Sequence, residues 1–248
     1  MTDVKLIKDT YLTMTEVLFI HGILGKPDYF DFLRECLPAD GFRGTDVLLE
    51  GHCDTPQAFG RASMSRWKDQ VAAEVERMRA AGSRVVIAAH SMGTLFAIGH
   101  AARGQADALF LLNPPLSLRL SPRMAVTTLK VAFGKIDDPH TAAAKAAYSI
   151  SDDRNPLHYL RWAPRYLELF AEIRRTRPLA RRLAVPARVY LSARDELVSP
   201  RSARWFPAGQ DIALTVLPRS GHYCYPDADR NRIIADFSSF LTGIAAEQ

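Results

Sequence analysis

The fold of this chain is decided by residues 84–98, which read RVVIAAHSMGTLFAI. Residues 84–88 form a short run that is apolar after Arg84 and partly β-branched, and they predict a buried strand, whereas residues 94–98 predict a helix. Ser91 lies at the junction, with the small residues Ala89 and Gly93 two positions away on either side. A sharp, strained turn needs small residues there, because larger side chains would collide with the neighbouring strand and helix. Ser91 is therefore predicted to project from the turn into a cleft.

Other apolar runs predict further strands that alternate with helices. Strands are expected at residues 17–20, 46–49, 108–112, 188–191 and 212–217, and residues 4–15 could supply one or two more. Helices are expected at residues 26–37, at 67–78 with Ser65 as a candidate cap and Gly82 as the stop, and at 227–241. This alternation predicts the α/β class, with a mostly parallel central sheet covered by helices on both faces.

The pattern changes at residue 116 and returns only after residue 183. This segment has helical stretches but no strong strand, and five prolines are expected to divide it into short helices: Pro122, Pro139, Pro156, Pro164 and Pro178. We therefore predict a core domain made of residues 1–115 and 184–248, with a helical insertion at residues 116–183.

Composition favours one soluble globular domain. The 248 residues are 48% hydrophobic and 24% charged, and no apolar run approaches the roughly 20 residues that cross a bilayer. The N-terminus does not resemble a signal peptide, and the three cysteines show no disulfide or metal spacing, so we expect a cytoplasmic protein. The net charge is +5, but no nucleic-acid-binding motif accompanies it, so we expect no nucleic-acid partner.

Three polar residues follow strands of the predicted sheet. Active sites of open parallel sheets lie at the carboxyl ends of the strands, where Ser91, Asp195 and His222 are expected. Ser91 is the candidate nucleophile, His222 the base that activates it, and Asp195 the carboxylate that orients the imidazole. Asp195 is preferred to three other carboxylates because these begin a strand or a helix: Asp211, Asp227 and Asp229. The histidines His21, His52 and His90 are expected to orient neighbouring groups.

Five motifs together resemble the α/β-hydrolase fold serine hydrolases, close to bacterial carboxylesterases and monoacylglycerol-lipase-like enzymes. They are FIHGILG at 19–25, GHCDTP at 51–56, AHSMG at 89–93, ARDELV at 193–198 and SGH at 220–222. Two departures from this family's pattern are Ala89, where glycine is usual, and Cys53, where many relatives have a second glycine. The resemblance covers nearly the whole chain and implies that residues 116–183 form a helical cap over the site.

The resemblance implies a serine carboxylesterase that cleaves short to medium acyl esters or monoacylglycerol-like esters through an acyl-enzyme on Ser91. The backbone N–H groups of Ile23 and Met92 are the implied oxyanion hole. Neither a cofactor nor a metal is expected. The candidate substrate contacts are Leu24, Leu116, Met124, Leu160, Trp162 and Val198. The same three catalytic residues would also serve a carbon–carbon bond hydrolase, a thioesterase or a lactonase. A ligand-binding relative with little turnover is the alternative outside the enzymes.

The expected partner is a small-molecule ester, and the protein is expected to be a monomer or a homodimer. Arginines are dense between residues 174 and 188 and are expected to form a solvated helix face. Recruitment of an anionic substrate or weak association with an anionic membrane surface are the alternatives.

Overall fold

The computed structural model describes residues 14–119, 136–153, 155–209 and 211–246. Its centre is one sheet of six parallel strands in the order β2-β1-β3-β4-β5-β6. The strands are β1 (Thr15–Ile20), β2 (Phe42–Val47), β3 (Arg84–His90), β4 (Ala108–Leu112), β5 (Ala187–Ser192) and β6 (Ile212–Leu217). The predicted parallel sheet is confirmed, and residues 4–13 of the predicted early strands lie outside the described residues.

Eight α-helices belong to the described part of the chain. They are α1 (Asp31–Arg34), α2 (Pro56–Arg61), α3 (Met64–Ala80), α4 (Met92–Ala101), α5 (Pro139–Ala147), α6 (Pro156–Leu160), α7 (Ala163–Ala180) and α8 (Asp227–Ala246). Short 3₁₀ turns precede α1 at Pro27–Phe30 and follow β5 at Pro200–Trp205.

Helices cover both faces of the sheet, as predicted. On one face, Leu18 and Ile20 pack with α3, α4 and α7. On the other face, the alternate residues Val17 and Phe19 pack with α1 and α8. Because successive strand residues point to opposite faces, every residue of β1 is buried, which explains its continuous apolar run.

Three predicted boundaries near the N-terminal half were wrong. The second strand occupies Phe42–Val47 instead of 46–49, because it is an edge strand of mixed polarity that pairs residue by residue with β1. The helix expected at 26–37 is a 3₁₀ turn followed by the single turn of α1. The α3 cap is Ser63, whose side chain accepts from the Arg66 N–H, and not Ser65.

The chain between β4 and β5 contains α5, α6 and α7 in its described part. Pro139, Pro156 and Pro164 lie in the first turns of these helices, where the missing N–H costs least. The expectation that Pro178 breaks a helix was wrong, since Pro178 lies inside the last turn of α7. Only one hydrogen bond to the preceding turn is lost there, while buried Leu169 and Ile173 anchor the helix in the core.

No helix among the described residues is long and apolar enough to cross a membrane. Pro122 and Met124 lie outside the described residues, and the treatment of residues 116–183 as a separate cap stays a prediction.

Candidate active site

Ser91 lies in the strained turn between β3 and α4. Its backbone has φ +49° and ψ −120°, a conformation that side-chain-bearing residues rarely adopt. The Ser91 N–H donates to the Leu112 carbonyl at 2.9 Å, which ties the turn to the end of β4. At Gly93 a Cβ would lie 2.3 Å from the Ile20 carbonyl oxygen, so this position requires glycine. Ala89 is fully buried in β3, where its methyl group joins the core.

The structure brings Ser91, Asp195 and His222 together from the ends of β3, β5 and β6. The His222 Nδ1–H donates to Asp195 Oδ2 at 2.7 Å, and the Ser91 hydroxyl lies 3.1 Å from His222 Nε2. The second carboxylate oxygen of Asp195 accepts from the N–H groups of Leu197 and Val198, at 2.7 Å each. These bonds fix the carboxylate against its own loop and leave one oxygen for the imidazole.

The electrostatic surroundings favour the charged form of His222. Burial by itself lowers the pKa of this histidine, but the hydrogen bond and charge of Asp195 and the charge of Glu196 raise it. The net result is a pKa above the ordinary value of 6.5. An imidazole in this position can accept a proton from Ser91 and is stabilised once it carries the charge.

Two further residues donate hydrogen bonds to the backbone carbonyl of His222. It accepts from His90 Nε2 at 3.1 Å and from Asn113 Nδ2 at 3.2 Å. Asn113 Oδ1 also accepts from the Ser192 N–H at 2.9 Å, so one amide joins the ends of β4 and β5 to the His222 loop. Burial holds the pKa of His90 well below its ordinary value, which keeps this histidine neutral.

Sequence reasoning missed Asn113. The available signal was its place directly after a buried strand, at the same edge of the sheet as Ser91, Asp195 and His222, and before two prolines. The structure adds that the backbone φ of Asn113 is +50°, in the left-handed region that asparagine adopts more readily than most residues.

Two backbone N–H groups next to the Ser91 turn have no acceptor in the part of the chain that the structure describes. Among the described residues, none accepts a hydrogen bond from the N–H of Ile23 or of Met92. Met92 is the first residue of α4, where backbone N–H groups have no partner inside the helix. Gly22 packs so tightly against the turn that a Cβ there would lie 2.9 Å from the Ser91 Cβ. The loop after β1 therefore passes directly beside the serine.

Two buried histidines brace that loop, as expected for His21 and His52. His21 Nδ1 donates to the Gly22 carbonyl at 2.8 Å, and its Nε2 accepts from the Leu49 N–H at 3.2 Å. His52 Nδ1 donates to the Leu49 carbonyl at 3.1 Å, and its Nε2 accepts from the Leu24 N–H at 3.1 Å. Burial lowers the pKa of His21 to about 4 and that of His52 to about 3, so both accept these bonds as neutral rings.

The candidate substrate contacts fall in different environments and stay predictions. Leu116 and Val198 are buried, Leu24 is half-buried with φ +59°, and Leu160 is 68% exposed. Trp162 is buried against the Phe59 ring and donates its Nε1–H to the Pro56 carbonyl at 2.9 Å.

Sequence comparison identifies the family to which this arrangement belongs. The profile described as the alpha/beta hydrolase family matches residues 17–237. The chain belongs to the alpha/beta hydrolase family. The resemblance in the five motifs and the predicted α/β-hydrolase fold are thereby confirmed. A search of curated proteins finds no match.

Solved structures share this alpha/beta hydrolase fold over nearly the whole chain. One belongs to the study of LipS and LipT, two metagenome-derived lipolytic enzymes, with 21% identity, a TM-score of 0.71 and coverage of 93% of this chain and 94% of that one. The monoacylglycerol lipase of Paleococcus ferrophilus has 17% identity and a TM-score of 0.62, with 92% and 96% coverage. A soluble variant of the Saccharomyces cerevisiae monoglyceride lipase has 15% identity and a TM-score of 0.63, with 94% and 87% coverage.

Proposed function

We propose that this alpha/beta hydrolase is a serine hydrolase of carboxylic esters. The observation that carries the proposal is the continuous line from Asp195 through His222 to Ser91, at 2.7 and 3.1 Å. A serine hydroxyl is a weak nucleophile until a neighbouring base takes its proton, and a base is most effective when a third group fixes its orientation. Both requirements are met by buried side chains at one edge of the sheet.

In the first half of the reaction, Ser91 Oγ attacks the ester carbonyl carbon while its proton moves to His222 Nε2. Asp195 accepts from Nδ1–H throughout, which holds the tautomer with its lone pair on Nε2 and stabilises the imidazolium. The carbonyl oxygen becomes an oxyanion that receives hydrogen bonds from the N–H groups of Ile23 and Met92. Such a donor typically contributes roughly 10²–10³ to the rate.

His222 then gives this proton to the leaving alcohol, which completes the first half and leaves an acyl-enzyme on Ser91. In the second half, water loses a proton to His222 and attacks the acyl carbonyl. His222 returns that proton to Ser91 Oγ as the bond to the acyl carbon breaks, which releases the carboxylic acid and restores the serine. Each proton that His222 takes is returned in the same half-reaction, so no other acid or base is needed.

The proposed substrates are uncharged esters of short to medium acyl chains or monoacylglycerols. The similarity to solved structures of lipolytic enzymes and monoacylglycerol lipases supports this class. The three cysteines, Cys36, Cys53 and Cys224, are free, which suits the proposed reducing cytoplasm. A monomer or a homodimer is proposed.

A ladder of p-nitrophenyl esters, from acetate to palmitate, tests the proposal. The wild-type protein and Ser65→Ala, which removes an exposed serine of α3, should hydrolyse the shorter esters, whereas Ser91→Ala should not. A fluorophosphonate probe should label Ser91 in the first two proteins only. Labelling without ester turnover would redirect the proposal to a thioesterase, a lactonase or a carbon–carbon bond hydrolase. A folded protein with neither labelling nor turnover would refute it in favour of ligand binding.

A further inference from the structure

An open pocket of about 410 Å³ lies beside the loop that carries Asp195, and its lining contains neither that residue nor Ser91 nor His222. We call it the arginine pocket. Its lining among the described residues is Ser117, Leu118, Arg119, Arg177, Ser199, Arg201 and Arg204. Four of these seven residues carry a permanent positive charge, and none is acidic.

The positive charges of the arginine pocket have no counter-ion in the described structure. Some arginines elsewhere pair with carboxylates, as Arg165 does with Glu168 and Arg34 does with Asp46. No comparable ion pair joins the four pocket arginines to any carboxylate of the described ranges. Like charges gathered without an acid repel one another, and a bound anion would relieve that repulsion.

Two of the four pocket arginines, Arg177 and Arg204, lie over one aromatic ring. Arg177, Arg181 and Arg204 lie over Trp205, with the guanidinium carbons 5.1, 4.4 and 5.3 Å from the ring centroid. The Trp205 Nε1–H donates to the Ser117 hydroxyl at 3.1 Å. Stacking on the indole face offsets part of the repulsion and limits the freedom of the side chains, so less entropy is lost when a ligand binds.

The floor of the pocket is equally fixed. The Arg177 Nε–H donates to the Leu116 carbonyl at 2.9 Å, and the Ser199 N–H donates to the Ser117 carbonyl at 2.8 Å. Ser117 in turn donates its N–H to the Ser202 hydroxyl at 2.8 Å. With Nε in use, both terminal nitrogens of Arg177 remain for a ligand. Arg177 and the backbone of the pocket floor are therefore positioned before any ligand arrives.

The arginines between residues 174 and 188 do not form one uniform solvated face. Arg174 and Arg182 are exposed and do not line the pocket, whereas Arg177 and Arg181 turn towards Trp205. Of these four residues only Arg177 lines the pocket, and Arg181 packs on the ring beside it.

We propose that the arginine pocket is a binding site for a phosphate group. Guanidinium groups match the oxygens of phosphate in pairs of parallel hydrogen bonds, and a phosphate monoester carries up to two negative charges. Four arginines around one pocket offer more hydrogen-bond donors than a single carboxylate can use. The phosphate can belong to a soluble monoester or to a phospholipid headgroup, since both present the same oxygens. The proposal does not depend on the ester hydrolysis proposed above.

Calorimetric titration with inorganic phosphate and phenyl phosphate at low ionic strength tests the site. The test variant is Arg201→Gln/Arg204→Gln, which alters two exposed side chains of the 3₁₀ turn at Pro200–Trp205. The matched control, Arg174→Gln/Arg182→Gln, removes the same charge outside the pocket. Binding should weaken about tenfold or more in the test variant, because each hydrogen bond to a charged group is worth that much. The control should bind as the wild-type protein does.

A second double variant, Arg119→Gln/Arg201→Gln, leaves every arginine over Trp205 unchanged and should also weaken binding. Sedimentation with vesicles of phosphatidylcholine, with and without phosphatidic acid, identifies the source of the phosphate. Loss of phosphatidic-acid binding in the test variant indicates a headgroup site, and binding of phenyl phosphate without vesicle binding indicates a soluble monoester. The proposal is overturned if the wild-type protein binds none of the three probes, or if the test and control variants bind them equally.

Discussion

Replacement of Asn113 by alanine should both destabilise the protein and slow its reaction. The Asn113 side chain accepts from the Ser192 N–H and donates to the His222 carbonyl and the Tyr225 hydroxyl, at 2.9, 3.2 and 3.0 Å. Asn113 is fully buried, so water cannot replace these bonds without rearrangement. The His222 carbonyl retains its bond from His90, but the Ser192 N–H has no second acceptor among the described residues.

Two contributions set the size of the effect. A buried donor left without a partner costs about 1–3 kcal/mol, which applies to the Ser192 N–H. The left-handed backbone of residue 113, with φ +50°, costs about 1–2 kcal/mol for a residue such as alanine. The free energy of unfolding should therefore fall by about 2–5 kcal/mol in Asn113→Ala. Asn113→Gly avoids the backbone cost and should lose only about 1–3 kcal/mol.

Urea unfolding of the wild-type protein and both variants measures these differences. The kcat/KM for a short p-nitrophenyl ester should fall roughly fivefold in both variants, because His222 loses one of the two hydrogen bonds to its carbonyl, worth about 1 kcal/mol. If Asn113→Ala unfolds within about 0.5 kcal/mol of the wild-type protein, the level of an ordinary surface substitution, the argument for a buried bridging amide is wrong.

Three further outcomes are expected. His222 must be neutral to accept the serine proton, and Asp195 and Glu196 raise its pKa. The kcat/KM should therefore rise with pH through a midpoint above 6.5, and a midpoint below 6.5 contradicts this. Gly93→Ala should lower the urea midpoint and abolish fluorophosphonate labelling, because the new methyl group would collide with the Ile20 carbonyl. Normal labelling would contradict the close approach of the Ile20 carbonyl to Gly93. Charge reversal of the exposed Arg174 and Arg175 should leave neutral-ester turnover unchanged, and a large loss with the fold intact would contradict it.

The central strands could be predicted because the sheet is covered on both faces. Every residue of β1 and β4 is buried, and the apolar runs at residues 17–20 and 108–112 reveal these strands in the sequence. The edge strand β2 contains Arg43, Gly44 and Asp46, and its pairing depends on β1 instead of on its own pattern. The position of Pro178 inside a helix could not be predicted either, because burial of the rest of α7 outweighs the tendency of proline to break a helix.

The sequence was sufficient to predict those residues of the candidate site that come shortly after a strand. Ser91, Asp195 and His222 each come shortly after a strand, and parallel strands end at one edge, so their proximity follows from topology. Asn113 also follows a strand, but its importance comes from an amide that contacts the end of β5 and the His222 loop. No local pattern encodes such a contact, since it depends on how far each loop extends beyond the sheet.

The hydrogen bonding of the sheet continues beyond the strand ends into the candidate site. This explains how the loops can hold the reactive side chains at fixed positions relative to one another. The Ser91 N–H donates to the Leu112 carbonyl at 2.9 Å, and the Ala193 N–H donates to the Leu217 carbonyl at 2.9 Å, so strand pairing continues to the residue at or near each reactive side chain. Asp195 lies only two residues beyond the second of these bonds. A shift of one residue in either pairing would reverse the direction of the side chains and break the line from carboxylate to serine. The hydrogen bonds of the sheet therefore fix the distances on which the proposed chemistry depends, while the loops supply the side chains.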